Sequence, residues 1–364
     1  MLLLPRGHRA RFRPRAPALP SDHGHALSPR GPSARKGTRQ DRQRIIPVAM
    51  ISAADPGRDP AGTEDAGFVA LLEARIARHL ADLSPAPQRL VAAARGAMAH
   101  GKRLRPCLLN HVAGKDADPD AVLDMAVAFE MVHSASLILD DLPAMDNALL
   151  RRGRPTTHVL HGEATAILAA IGLLNQAIAI ANALPGVDAA DRQRLVAILT
   201  GVMGWNGLVA GQELDLNGFS PGDAGACDPQ ERICRVNRLK TGILLCAAVE
   251  AGALLGRRPE AACAQLLRFA GALGQAFQIA DDLGDAHRRS DQTGKDCGKD
   301  AGKETFLAVF GTAEALNRCH ALLAEADGAL HASGIDARPL RRMVGAIFGP
   351  MLSLPPDDIL QAAE

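Results

Sequence analysis

The sequence predicts an all-α fold, a single bundle of long helices. From Glu64 onward nearly every segment repeats apolar residues at three- and four-residue spacing, and the segments are built from Ala, Leu, Glu, Gln and Arg. Alternating apolar and polar runs bounded by turn pairs, the mark of half-buried strands, are not evident. Breaks rich in Pro and Gly cut the chain into stretches of roughly 12 to 30 residues, the long end of the range for globular helices.

Taken in order, Phe68, Leu71, Leu72, Ile76 and Leu80 form the first helical stripe, closed by Ser84-Pro85-Ala86-Pro87. The next break is Gly114 to Pro119, after which an apolar helix runs into the pair Asp140-Asp141. Gly153 to Pro155 follows, then Ala164 to Leu184, which is broken by Gly172, Asn175 and Gln176 and reads as a buried core helix rather than a membrane span. Pro185-Gly186, Ser220 to Pro229 and Ser333-Gly334 separate the remaining helices. No repeat of solenoid period occurs.

The formal net charge of +1 is a sum over two unlike parts. Residues 1 to 44 hold ten Arg and one Lys against two Asp, a net of +9, which leaves 30 basic against 38 acidic side chains and a net of −8 for the rest. The segment 1–60, rich in Arg and Pro and without periodicity, is expected to be disordered, and Met50 is a candidate true start. Residues 61–364 form the expected catalytic domain. An acidic body with no Tyr and one Trp suits neither a phosphate backbone nor base stacking, so nucleic acid is excluded as a partner. Met1 to Leu4 is too short an apolar run for a signal peptide. Seven Cys without a C-x-x-C pair argue against a disulfide framework or a zinc site and point to a reducing, cytoplasmic location. No window holds eighteen uninterrupted apolar residues, so no transmembrane segment is expected.

Two acid clusters stand out. Asp140 and Asp141 end an apolar helix, where the negative end of the helix dipole disfavours them, and Asp146 follows beyond Pro143, which can bend the chain so that the carboxylates converge. Asp281, Asp282 and Asp285 end a second apolar helix, with Asp281 and Asp285 on one face. Arg151 and Arg152 follow the first cluster, and Lys295, Lys299 and Lys303 the second. Carboxylates without His or Cys partners suit a hard cation such as Mg2+, and adjacent Arg and Lys suit phosphate, so the pattern suggests diphosphate held through magnesium.

In these motifs the sequence resembles the trans-isoprenyl diphosphate synthases, over about residues 64 to 350. Asp140-Asp141-Leu-Pro-Ala-Met-Asp146 with the following Leu150 to His158 is similar to that family's first aspartate-rich motif, and Asp281-Asp282-Leu-Gly-Asp285 to its second. Gly101-Lys102-Arg103-Leu104-Arg105-Pro106, Gly211-Gln212-Glu213-Leu214-Asp215 and Lys240-Thr241-Gly242 also have family counterparts. The resemblance implies an isoprenoid synthase bundle around a central cavity, and a homodimer. It implies that Asp140, Asp141, Asp146, Asp281, Asp282 and Asp285 bind magnesium, and that Arg151, Lys240 and Lys295 contact an allylic diphosphate. Lys102, Arg105, His133 and Arg152 would bind isopentenyl diphosphate, and Thr241 and Gln278 would stabilise the allylic carbocation.

Product length in this family follows cavity depth below the first aspartates. Ala135 and Ser136 are small there, which resembles bacterial geranylgeranyl diphosphate synthases of carotenoid pathways, so a twenty-carbon product is expected. Farnesyl diphosphate synthase is the nearest alternative. A terpene cyclase would normally replace the second acid cluster, and a non-catalytic subunit would lose aspartates. The chain departs from common relatives at Ala170-Ile171 and His100-Gly101 and in a shorter Lys295–Lys303 stretch, where the roles of Lys299 and Lys303 stay open.

Overall fold

Helix boundaries fall where the sequence supplies caps and breakers. In the computed structural model, which describes residues 63–83, 85–223, 228–287 and 304–352, the chain begins with α1 (Thr63–Ala81), α2 (Gln88–Met98) and α3 (Leu104–Ala113). α4 (Pro119–Asp140) is started by Asp118, whose carboxylate accepts from the backbone N–H groups of Asp120 and Ala121, with Pro119 in the first turn where no donor is needed. Two two-residue strands, β1 (Leu150–Arg151) and β2 (Arg154–Pro155), pair antiparallel before the short α5 (Thr157–His161) and α6 (Glu163–Asn182). The chain continues through α7 (Ala189–Met203), α8 (Leu208–Asn217) and α9 (Pro229–Asn237). A π-helical turn over Arg238–Gly242 leads directly into α10 (Ile243–Leu255). α11 (Glu260–His287), α12 (Phe306–Ala332) and α13 (Arg338–Leu352) complete the bundle.

The all-α expectation holds, with two adjustments. The hairpin is too short to leave an alternating pattern. It forms because Arg152 (φ 54°) and Gly153 (φ 71°) both adopt left-handed conformations, the pair a tight two-residue antiparallel turn requires. Several helices are also shorter than 12 residues, down to five in α5, because the loops that carry polar motifs interrupt them.

α4 organises the bundle. Every residue from Ala121 to Val132 is buried, and α1, α2, α3, α6 and α10 all pack around it. One apolar cluster joins α4 to α1, α2, α6 and α7, and a second joins α11 and α12 with parts of α3, α10 and α13. Beyond Val132 the burial of α4 changes. His133, Ser136, Leu137 and Asp140 are only half-buried, at spacings of three, four and seven residues, so one stripe of the last two turns faces away from the core.

Three stretches, Pro119–Asp140, Glu163–Asn182 and Ala189–Asn217, are by length and composition apolar enough to cross a membrane. In the first, 78% of the apolar window lies inside the bundle, which accounts for its hydropathy. The expectation of a buried core helix over Ala164–Leu184 holds on one face only. Ala166, Ala169, Ala170 and Leu173 are buried, whereas Leu168 is 56% and Ile171 48% exposed. Among the described residues Cys107 and Cys319 are buried thiols, Cys234, Cys246 and Cys263 are half-buried, and none forms a disulfide. Residues 1–60, Cys227, Cys297, Lys295, Lys299 and Lys303 lie outside the described residues.

Candidate active site

The C-terminal end of α4 collects charges from four other parts of the chain. α4 stops at Asp140 and the chain curls rather than bending onward as a helix: Asp146 donates its backbone N–H to the Asp140 carbonyl at 2.9 Å, and Ala148 donates to that of Asp141 at 3.1 Å. The hairpin then brings Arg151 back over the acids. Its Nε lies 2.8 Å from Oδ1 and 3.0 Å from Oδ2 of Asp141, and its Nη2 lies 2.6 Å from Asp141 Oδ1 and 3.4 Å from Asp140 Oδ2. Burial pushes the Asp141 carboxyl up, against the pull of Arg151 and with help from the neighbouring charges of Asp140 and Asp146. For Arg151 burial opposes the charged form, but the three carboxylates prevail and raise its pKa.

α8 supplies the next layer. Gln212 donates to Asp140 Oδ1 at 2.6 Å, and Asp215, three residues on and so on the same helix face, accepts from Lys240 Nζ at 2.6 Å. Lys240 Nζ is also 3.6 Å from Asp140 Oδ1. This meeting depends on Gly211. A Cβ there would stand 2.7 Å from both the Leu239 carbonyl carbon and the Lys240 nitrogen, so only glycine lets α8 lie this close to the π turn. The resemblance assigned no role to Gln212 or Asp215. Their three-residue spacing is visible in the sequence, but not the partners they meet, Asp140 72 positions before Gln212 and Lys240 25 positions after Asp215.

The π turn also carries Thr241, whose hydroxyl donates to Gln278 Oε1 at 2.9 Å, and Gln278 Nε2 donates to Asp282 Oδ1 at 3.0 Å. Thr241, Gln278 and Asp282 thus connect the π turn to the second acid cluster. Asp281 and Asp282 are half-buried on α11, and Asp285 belongs to the same helix. The side chain of Asp285 and all of Lys295 fall outside the described residues. Among the described residues no three acidic, His or Cys side chains gather into a ready metal centre. What the first cluster offers is an all-oxygen donor set already balanced by Arg151, Gln212 and Lys240, a chemistry that fits a hard cation better than a thiophilic one.

A different environment lies lower on the same face of α4. His133 is seven residues before Asp140, which a regular helix sets about 10 Å away along its axis. Burial first, and then the charges of Arg105, Arg152, Arg151 and Arg103, hold its imidazole well below the usual value, so it is neutral at pH 7. Burial and the nearby Arg152 push the Arg105 guanidinium down to about 10, against the attraction of Glu130. The Nε of Arg105 is buried and has no hydrogen-bond partner. Lys102 is exposed on the loop before α3, and Arg152 is exposed at the hairpin tip. The structure therefore brings Arg105, His133 and Arg152 to one region, beside the loop that carries Lys102, and leaves a donor there unanswered.

Ala135 and Ser136 separate. Ala135 has no exposed surface and belongs to the core cluster, whereas half-buried Ser136 lies on the accessible face with its hydroxyl donating to the His133 carbonyl at 2.8 Å.

Comparison with known proteins places the chain among similar sequences and folds. Residues 87–329 match the polyprenyl synthetase family. The chain is 38% identical to a geranylgeranyl diphosphate synthase of Pseudescherichia vulneris over 301 residues, covering 80% of this chain and 95% of that one. It is 36% identical to a farnesyl diphosphate synthase of Geobacillus stearothermophilus, covering 74% of this chain and 91% of the relative. Among solved structures, a geranyltransferase from Helicobacter pylori complexed with magnesium and isoprenyl diphosphate superposes with a TM-score of 0.67 at 25% identity, over 80% of this chain and 99% of that one.

Proposed function

The chain belongs to the polyprenyl synthetase family and is a head-to-tail prenyltransferase of isopentenyl and allylic diphosphates, and we propose that its end product is geranylgeranyl diphosphate. The family chemistry is magnesium-dependent. The observation that carries the site assignment is the convergence on Asp140 and Asp141 of Arg151, Gln212 and the Asp215–Lys240 pair. In our reading Asp140, Asp141 and Asp146, together with Asp281, Asp282 and Asp285, would hold magnesium for the allylic diphosphate. When bound, the metal supplies electrophilic assistance to the departing diphosphate. Arg151 and Lys240 would exchange carboxylate partners for diphosphate oxygens and, with Lys295, stabilise charge on the leaving group. The Thr241 hydroxyl and the Gln278 amide present oxygens toward the allylic cation. Lys102, Arg105, Arg152 and neutral His133 orient isopentenyl diphosphate along the same face of α4.

A twenty-carbon product is supported by the small residues Ala135 and Ser136, which put no aromatic floor in the turn below Asp140. A fifteen-carbon product is favoured by one observation, the complete burial of Ala135, which leaves chain growth past that point dependent on movement of its neighbours. Incubation with farnesyl diphosphate and isopentenyl diphosphate, followed by chromatography of the dephosphorylated prenols, separates the two. Conversion to the twenty-carbon prenol is expected, and recovery of farnesol alone would overturn it.

The exposed apolar side chains Val159, Leu160, Ile167, Leu168 and Ile171 on α5 and α6 support a homodimer that covers this face. Sedimentation of the wild type as a dimer and of Leu168→Glu as a monomer is the expected outcome. We further read the protein as a cytoplasmic enzyme that spans no membrane and binds no nucleic acid, consistent with free thiols and an acidic body. Carotenoid precursor supply is the biosynthetic role that fits a twenty-carbon product.

A further inference from the structure

We propose that Glu130, a buried carboxylate on α4, is the positioning residue for the homoallylic diphosphate pocket: it holds Arg103, and through it the loop 98–103, so that Lys102, Arg105 and Arg152 point at one place.

Glu130 is 3% exposed and sits one turn before His133, on the side of α4 that meets this loop. Its Oε1 accepts from Arg103 Nη1 at 2.7 Å. Arg103 is itself 2% exposed and spends its other donors on the same small region, Nε to Glu73 Oε1 and Nη2 to the Met98 carbonyl, both at 2.7 Å. The His100 carbonyl is taken by Arg152 Nη1, reaching across from the hairpin. Two arginines from different segments therefore grip one loop by two of its carbonyls, and Glu130 is the fully buried acid beneath them.

The backbone is strained where this happens. His100 (φ 63°), Arg103 (φ 46°) and Arg152 (φ 54°) are three of the five non-glycine residues with left-handed backbone among the described residues, and all three meet here. Such conformations persist only where surrounding interactions over-determine them. Gly101 shows how tightly the parts close: a Cβ there would stand 3.1 Å from Arg152 Nη1, 3.3 Å from Arg103 Nη1 and 3.3 Å from Glu130 Oε1.

Glu130 is also the acid that offsets the mutual repulsion of the cations. It is the carboxylate acting on Arg105, and the strongest attraction acting on Arg103 and Arg152. Removing its charge has two opposed consequences. The pocket becomes more positive, which favours an anion, while Arg103 loses its buried partner and the loop loses its anchor. His100 and Arg103, the two left-handed residues of the loop, depend on that anchor, so loss of alignment dominates and the anion binds less well.

The inference rests on the proposed isopentenyl diphosphate site, and its test separates the two. Steady-state kinetics are measured with each substrate varied in turn for the wild type, Glu130→Ala, Glu130→Gln and Lys102→Ala. Glu130→Ala should raise KM for isopentenyl diphosphate about tenfold or more, with kcat and the allylic KM changed less than about threefold. Glu130→Gln, which keeps the acceptor oxygen, should show a smaller rise in the same parameter, and it carries the test if the alanine variant does not fold. Equal movement of both KM values, or an isopentenyl KM that stays level or falls, overturns the role of Glu130. If Lys102→Ala also leaves that KM unchanged, the site assignment falls with it.

Discussion

The two ends of the half-buried stripe on α4 solve opposite electrostatic problems. At Asp140 the charges are already paired, with Arg151 on Asp141, Gln212 on Asp140 and Lys240 shared between Asp215 and Asp140. At His133 they are only partly paired: burial and then the charges of Arg105, Arg152, Arg151 and Arg103 depress a neutral imidazole, Arg103 is held by Glu130 and Glu73, and the buried Nε of Arg105 lacks a partner. An acid-and-base cluster cannot take up a bare diphosphate without bringing further cations, because its own are committed. A pocket of cations with an unanswered donor on Arg105 can. In the proposed reaction the metal-dependent diphosphate accordingly belongs at the first end and the metal-free one at the second.

Breaking the first end should have the largest effect. Asp141→Asn should lower kcat by about a thousandfold or more in a magnesium-saturated assay while circular dichroism stays helical, because the developing charge on the leaving group loses its main support. Retention of most of the turnover would remove the basis for the comparison.

Next in size, Arg105→Gln should raise KM for isopentenyl diphosphate by roughly a hundredfold with little change in the allylic KM, since a charge-assisted donor is lost from a site without a metal. A comparable rise in both constants would mean that the two ends are one site. Asp215→Asn should be milder, about a tenfold loss in kcat/KM for the allylic substrate, because Lys240 keeps its contact with Asp140 but loses its closer partner.

The smallest effect concerns stability against pH. The folded-state imidazole of His133 lies well below its ordinary 6.5, so below about pH 6.5 the unfolded chain binds a proton that the native pocket refuses. Stability from this residue is therefore intact above that pH and declines as the pH falls, at no more than about 1.4 kcal/mol per pH unit for a single proton. Thermal denaturation from pH 7.5 to 5.5 should show the decline, and His133→Gln should flatten it.

Much of the first end was legible in the sequence, because adjacent aspartates at the close of an apolar helix are anomalous on their own terms, and so are arginines placed a few positions later. Gln212 and Asp215 were visible only as a family motif without a role, since their function depends on which helix lies across from α8. Glu130 gave no signal at all. Inside an apolar run a single acid looks like an accident until the arginine that fills its pocket is seen. The hairpin was hidden for a different reason, as two residues per strand are too few to alternate. Along α6 the apolar run reads as core throughout, because hydropathy alone does not tell a face buried in the fold from one left exposed.

Equilibrium binding of isopentenyl diphosphate and of farnesyl diphosphate, each with saturating magnesium and again with excess EDTA, tests the contrast between the two ends most directly. The account predicts that farnesyl diphosphate weakens by about tenfold or more without the metal, whereas isopentenyl diphosphate keeps its affinity within about threefold. Equal loss for both, or loss confined to isopentenyl diphosphate, would contradict it.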